Sequence, residues 1–447
     1  MMAPRSALPL ALCAASLLMA QTPAADDPVV VSTDHPRLLL RPARLRLLRR
    51  ERERDSLRWE QFQLFLAGHA AMPETGFAKA LYYQVAGDAE AGREAIAWAL
   101  GPATDLRQQA LVYDWCQDLL SERQNRDLAA RLQTGMAGRL ASNDAVAAVR
   151  ARVMAAVALF DHAPETPRQQ LESVVRGWWE RKMAPGLNAG RNLVAREDAY
   201  PLYELLTVLR DNTNLDLRES ARAFFRGFPT EHLVSYYPAP LEAPENAYYI
   251  GATRHTGEPD LRAAALSRAA ELAMVAYDPN AADTQLLQGW LMHDHFLLRG
   301  AFGIPYEFLW ANPYQPGLSY DHAPLVWHNA DFGRLFVRSD WDDAADWFGS
   351  FDGVMQIFRD GRVVAVDPAH PPAPLLLHAA AVCFGESARR FRVTVDEGNA
   401  VFIVGLDPGR TYQVEVDDEE MYEAPTDSGG ILEVEVPPGK ETGVRIR

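Results

Sequence analysis

The stretch EHLVSYYPAPLEAPENAYYIGATRHTGEPD, residues Glu231–Asp260, concentrates the side chains best suited to moving protons or gripping a ligand: His232, Tyr236, Tyr237, Glu245, Asn246, Tyr248, Tyr249, Arg254 and His255. Histidine and tyrosine can serve as acid or base, and aromatic faces suit stacking on sugar rings. The prolines break the helical period here, and long irregular segments inside a helical region tend to carry function. The competing reading is an ordered, packed loop whose tyrosines bridge helices.

Two further stretches offer ligand contacts. GLNAGRNLVARED supplies Asn188, Arg191, Asn192 and Arg196 just ahead of a helix, where a positive helix end favours a carboxylate; capping and loop closure call for the same residue types. GWLMHDHFLLRG contains Trp290, His293 and His295. On a helix the two histidines lie about 200° apart, so they cannot chelate one ion together. One is expected to face a cleft and the other the packing, while His322 and His328 fall near a domain junction.

The stretch RSDWDDAADWFGSFDGVMQIFRDGRVVAVDP, from Arg338 to Pro368, brings Trp341 and Trp347 together with Asp340, Asp342, Asp343 and Asp346. A calcium loop needs a glycine at its sharp turn, and Ala344 and Ala345 stand there instead. A catalytic loop needs a base, which this stretch lacks. It is best read as a seam, with the tryptophans anchoring a strand pair and the aspartates on an exposed turn. No G-x-S-x-G, zinc-ligand spacing, P-loop or dinucleotide fingerprint occurs, so neither a metal nor a cofactor is expected.

The elements that must position these groups differ between the two parts of the chain. From about residue 40 to 310 apolar residues recur at helical spacing, as in Val146, Val149, Val153 and Val157, and Ser121 with Gln124 forms a capping-box pair. After about Leu325 the period becomes two: Phe391, Val393 and Val395, then Tyr412, Val414 and Val416, then Leu432, Val434 and Val436. Asp360-Gly361 between VMQIFR and RVVAV is a two-residue hairpin signal, and Tyr412 after DPGR resembles the tyrosine corner of a sandwich.

The 447 residues carry a formal charge of −16, which argues against a nucleic-acid partner. Residues 1–25 read as a cleaved secretory signal, because Arg5 precedes the apolar run ALPLALCAASLLMA and small residues follow it. Beyond them no stretch is apolar enough to span a membrane, so an exported protein is expected. Cys116 and Cys383 show no metal spacing and are expected as buried thiols or as one interdomain disulfide. The arginine run RPARLRLLRRERER, Arg41 to Arg54, reads as a solvated helix face with internal ion pairs.

HPRLLLRPARLRLL near the start, ALVYDWCQDLLSERQ from Ala110, and FLWANPYQP running on to GRLFVRSDWDDAADWF resemble the heparinase II/III-like polysaccharide lyases. The resemblance implies an N-terminal incomplete α/α toroid, here residues 30–325, then a small antiparallel β-sandwich, residues 326–447, with an acidic polysaccharide bound between them. It implies β-elimination from a uronic acid: the C5 proton leaves only when the neighbouring carboxylate is neutralised, and a Tyr or His takes it. His232, Tyr236, Tyr237 and His255 are then the acid/base candidates, with Asn192 or Arg254 as neutraliser. Arg196, Glu245, Asn246, Arg254, Trp290 and His293 are the candidate substrate contacts.

One departure qualifies this. The lyases carry a histidine-bearing loop ahead of the hairpin, whereas this chain passes from FGSFDG directly to VMQIFRDG, with no histidine between His328 and His370. Two alternatives follow: a non-catalytic glycan-binding or scaffold protein, or a toroid glycoside hydrolase using Glu197 and Glu245, which would have to face each other. A polysaccharide is the expected partner in each case, and the oligomeric state stays open.

Overall fold

The computed structural model describes residues 29–447, apart from 30, 33, 69, 103–104, 139, 141–143, 255–256, 296–297, 386–389 and 419. The expected signal segment and His255 therefore lie outside the described residues. The chain is helical first and β-stranded after, in the order the two periods imply.

An inner series of helices forms the body: Thr75–Ala86, Leu106–Trp115, Val146–Ala158, Ala199–Thr213, Leu261–Tyr277 and Gly300–Trp310. Each packs on the next, and Gly300–Trp310 packs back on Thr75–Ala86, so the arc returns to its start. These helices are apolar nearly all round because they are covered on both sides; Leu106–Trp115 buries every residue from Arg107 onward. Outer helices such as Ala89–Leu100, Glu122–Met136 and Ala282–His293 back them and expose a polar face. Asp88, Asp105, Ser121 and Asp260 cap helix starts, and the Ser121–Gln124 capping box is fully formed. The ring interior is filled: Arg107 grips the fully buried Glu204 (2.7 and 2.8 Å), which also accepts from Arg150 at 2.7 Å. Burial resists the Glu204 charge, but these two cations outweigh it and hold the carboxyl down at about 2.

The β part is a stack of three sheets. The first is a five-stranded meander, Val326–Asn329, Arg334–Arg338, Trp347–Phe351, Val354–Arg359 and Arg362–Ala365. Phe336, Trp347, Phe351 and Phe358 on one face belong to the same hydrophobic core as the helical body. Leu335, Val337 and Phe348 on the other face meet Val382, Phe384, Phe402 and Val404 of a second sheet. That sheet turns Ala381, Cys383, Val401 and Ile403 against Val393, Val414 and Val444 of a third. One simple sandwich was expected; a further layer exists because the strands around Phe336 and Phe348 are buried on both faces. Pairing is antiparallel except between Ala380–Phe384 and Ala400–Val404, which run parallel. Cys116 and Cys383 are separate buried thiols, each pushed up to about 12 by burial. No described helix is long and apolar enough to cross a membrane.

Candidate functional site

The segment after helix Arg222–Val234 is an ordered finger between the body and the first sheet. The Tyr237 N–H donates to the Ile250 carbonyl (3.0 Å), the Ala252 N–H to that of Ser235 (2.8 Å), and Leu241–Glu242 pairs with Ala247–Tyr248. Beside its base opens a cleft of ≈ 530 Å³ bounded by Asn192, Arg196, Glu197, Arg254, Arg334 and Asp352. Both halves of the molecule contribute to it.

The floor is a buried polar cluster around Ser267, a hydroxyl on helix Leu261–Tyr277. Arg196 Nε donates to Ser267 Oγ at 2.9 Å and the Tyr236 hydroxyl donates at 3.1 Å. His232 Nε2 lies within hydrogen-bond distance of the same hydroxyl, at 3.0 Å. The imidazole is buried. Burial, then the Arg196 charge, hold it well below the usual histidine range. Glu271 lies 3.8 Å beyond His232 Nε2, and its carboxyl is raised by burial although it accepts from Arg268 at 2.7 Å.

Arg196 itself is an uncommon cation. Nη1 donates to the His232 carbonyl (3.0 Å) and Ser235 Oγ (2.8 Å), the guanidinium lies 4.1 Å from the Tyr236 ring centroid, and buried Nη2 has no hydrogen-bond partner. Arg254 is exposed and reaches the Asp352 carbonyl. Among the described residues no carboxylate pairs with either guanidinium. Arg334, by contrast, is neutralised by Glu231 (2.5 Å) and by both oxygens of Asp352 (2.9 and 3.0 Å), and Asn192 donates to Asp352 at 3.2 Å. Asp352-Gly353 is the entire connection between Trp347–Phe351 and Val354–Arg359. A two-residue turn thus stands where the resemblance implied a long loop, and it carries a carboxylate to the cleft.

The candidate residues separate into three groups. Asn192, Arg196 and Arg254 come together at the cleft with His232 beneath them. Tyr236 and Tyr237 are buried: burial pushes Tyr236 up to about 12, and Tyr237 packs between Trp347 and Phe358 while donating to Gln356 Oε1 at 2.8 Å. Neither hydroxyl opens on the cleft, so packing has taken the tyrosines that the elimination chemistry needs. Glu245, Asn246, Trp290 and His293 lie away from it. Asn246 ties down the Arg299 backbone (2.8 and 3.1 Å), and Trp290 packs against Tyr249, Tyr320 and Trp341. His293 is exposed, 4.6 Å from the Tyr320 ring. Glu197 lines the cleft but Glu245 sits beside Gly300, so that carboxylate pair does not face across it.

Ser267, Glu231, Arg334 and Asp352 complete the site without having been singled out in the sequence. The available signals were the Ser267-Arg268-Glu271 polar break in an Ala-rich helix and the Asp352-Gly353 dipeptide. The seam reading of the Arg338–Pro368 stretch matches the contacts: Trp341 Nε1 donates to the Ala323 carbonyl (3.1 Å) and Trp347 Nε1 to that of Val234 (3.0 Å).

No protein-family model and no curated protein matches the chain. Among solved structures it is similar to one titled a glycoside hydrolase, at 10% identity and a TM-score of 0.32 over 83% of this chain and 71% of that one. It is also similar to a GH127 β-arabinofuranosidase, at 10% identity and a TM-score of 0.30 over 94% of this chain and 80% of that one. At that level of likeness neither family nor activity follows from them.

Proposed function

We propose that this is an exported protein that binds an acidic polysaccharide in the cleft between the helical body and the first sheet, as a glycan-binding member of a lyase-like architecture. The observation that carries the reading is the pair Arg196 and Arg254, two cations on one cleft without a carboxylate partner among the described residues. A guanidinium held by neutral acceptors keeps its charge available for a carboxylate, and Asn192 stands beside them as a donor. Phe228, Phe336 and Phe351 also line the cleft, and apolar aromatic edges suit contact with sugar rings. Elimination needs an accessible base, and among the described residues the imidazole that lines the cleft, His232, is buried and hydrogen-bonded to Ser267; binding is therefore the better supported activity.

The test is calorimetric titration of the mature chain with a uronic-acid oligosaccharide and with a neutral glucan oligosaccharide of equal length. Saturable binding of the acidic chain alone, weakened in R254A, is the expected result. Equal binding of both, or of neither, overturns the reading. Following ultraviolet absorbance for an unsaturated product and reducing ends for hydrolysis in the same samples separates binding from the two chemistries.

A further inference from the structure

The arginine-rich first helix, Pro42–Glu53, plays no part in the cleft. Some of its charge is explained structurally: Arg49 and Arg52 donate to the carbonyls of Gln84 and Val85 at the end of helix Thr75–Ala86, where cations are favoured. Arg41 and Arg44 turn elsewhere. They line a polar pocket of ≈ 620 Å³ together with Arg210, Asp211, Asn214 and Asn312.

Arg44 donates through Nη1 to the Trp310 carbonyl at 3.1 Å and lies 5.9 Å from that indole. Among the described residues no carboxylate forms an ion pair with Arg44 or Arg41, and Asp211, the pocket's acid, is engaged by Arg210 at 3.3 Å. Burial, followed by the neighbouring charge of Arg58, brings Arg44 down to about 10, and the charge of Asp211, already engaged by Arg210, offsets this only in part. Three guanidiniums, one carboxylate and two amides around one opening make a locally cationic pocket on a chain of net charge −16. A half-buried cation without a counter-charge is costly unless an anion completes it.

We propose that this pocket is a second anion-binding site, taking an oxyanion, either free or borne by an acidic sugar, between Arg41 and Arg44. It is distinct from the cleft: Arg196 precedes helix Ala199–Thr213 and Asn214 follows it, and a 15-residue helix separates its ends by about 22 Å. The inference does not rest on the cleft reading.

Titrations of the full mature chain with sodium sulfate, sodium phosphate and sodium glucuronate, each at constant ionic strength in chloride, test it. Saturable binding of at least one anion is expected, weakened by about tenfold in R41A, in keeping with loss of one charge-assisted contact, and this R41A-sensitive binding is expected to persist in R254A, which disables only the cleft. R41A removes no hydrogen bond seen in the fold, so it reports on the site even if R44Q fails to fold. R41A-sensitive binding of the inorganic anions identifies a free oxyanion as the ligand; R41A-sensitive binding of glucuronate alone identifies a sugar-borne group. No saturable binding in any arm, or binding unaltered in R41A, overturns the proposal, and binding lost in R254A but not in R41A belongs to the cleft instead.

Discussion

Ser267 shows how one hydroxyl decides the chemistry of its neighbours. By lying within hydrogen-bond reach of Arg196, Tyr236 and His232 it engages groups that elimination chemistry would use as acid, base or neutraliser. Tyr237 is used in a different way, as a bridge to Gln356 across the seam. Y237F is therefore expected to lower stability by about 1–2 kcal/mol in urea denaturation, since it strands a buried amide oxygen, while leaving glycan affinity unchanged; a selective loss of binding with normal stability would contradict this. R254A should do the converse, weakening an acidic oligosaccharide by roughly tenfold at low salt, with a smaller loss at high salt, and leaving the urea midpoint where it was. At this scale the sequence was informative about residue type and poor about direction. Arg254 and Tyr237 stand in one irregular stretch, yet burial of Tyr237 depends on Trp347 and Phe358, more than a hundred positions away, which no local pattern encodes.

Among the elements, hairpins were the most legible. Asp360-Gly361 turns with φ of 51° and 73°, both in the region that favours such a dipeptide, as the two-residue signal requires. Asp352-Gly353 does the same at 48° and 79°, which is why FGSFDGVMQ has no room for a loop. The three sheets were less legible, because alternation tells which residues share a face and not which layer that face meets. His328 joins two of those layers: Nδ1 meets Glu433 and Nε2 meets Asp427, each at 2.9 Å. Burial opposes its charge, but the hydrogen bonds to Asp427 and Glu433 outweigh it and raise it to about 9. A histidine whose folded value exceeds its unfolded value of 6.5 contributes stability that is complete below pH 6.5 and is lost as pH rises through 9. H328Q should accordingly lose about 2 kcal/mol at pH 6 and match the parent near pH 10, in thermal melts taken across that range. A difference that is constant with pH would show that shape, and not charge, is what His328 supplies.

For the whole molecule the decisive feature is that the helical body and the first sheet share one hydrophobic core. Leu205 and Leu272 on inner helices belong to the same cluster as Trp347 and Phe358. The change of period implies a helical part followed by a stranded one, which is the order observed, yet a change of period says nothing about whether two parts fold separately. The residues that settle this are the seam tryptophans: Trp347 is fully buried, edge-on to Tyr237, stacked with Phe336 and bonded to the Val234 carbonyl at the end of helix Arg222–Val234. Truncating it opens a cavity where the two parts meet and leaves that carbonyl without its donor, at a cost of about 3–5 kcal/mol. Because the core is continuous, W347A should lower the melting temperature of the helices and of the sheets together, so that helical ellipticity and tryptophan fluorescence change in one shared transition at a reduced temperature. If the helical signal instead melted where the parent's does while the fluorescence moved, the body would be an independent unit and the shared core a contact between finished domains.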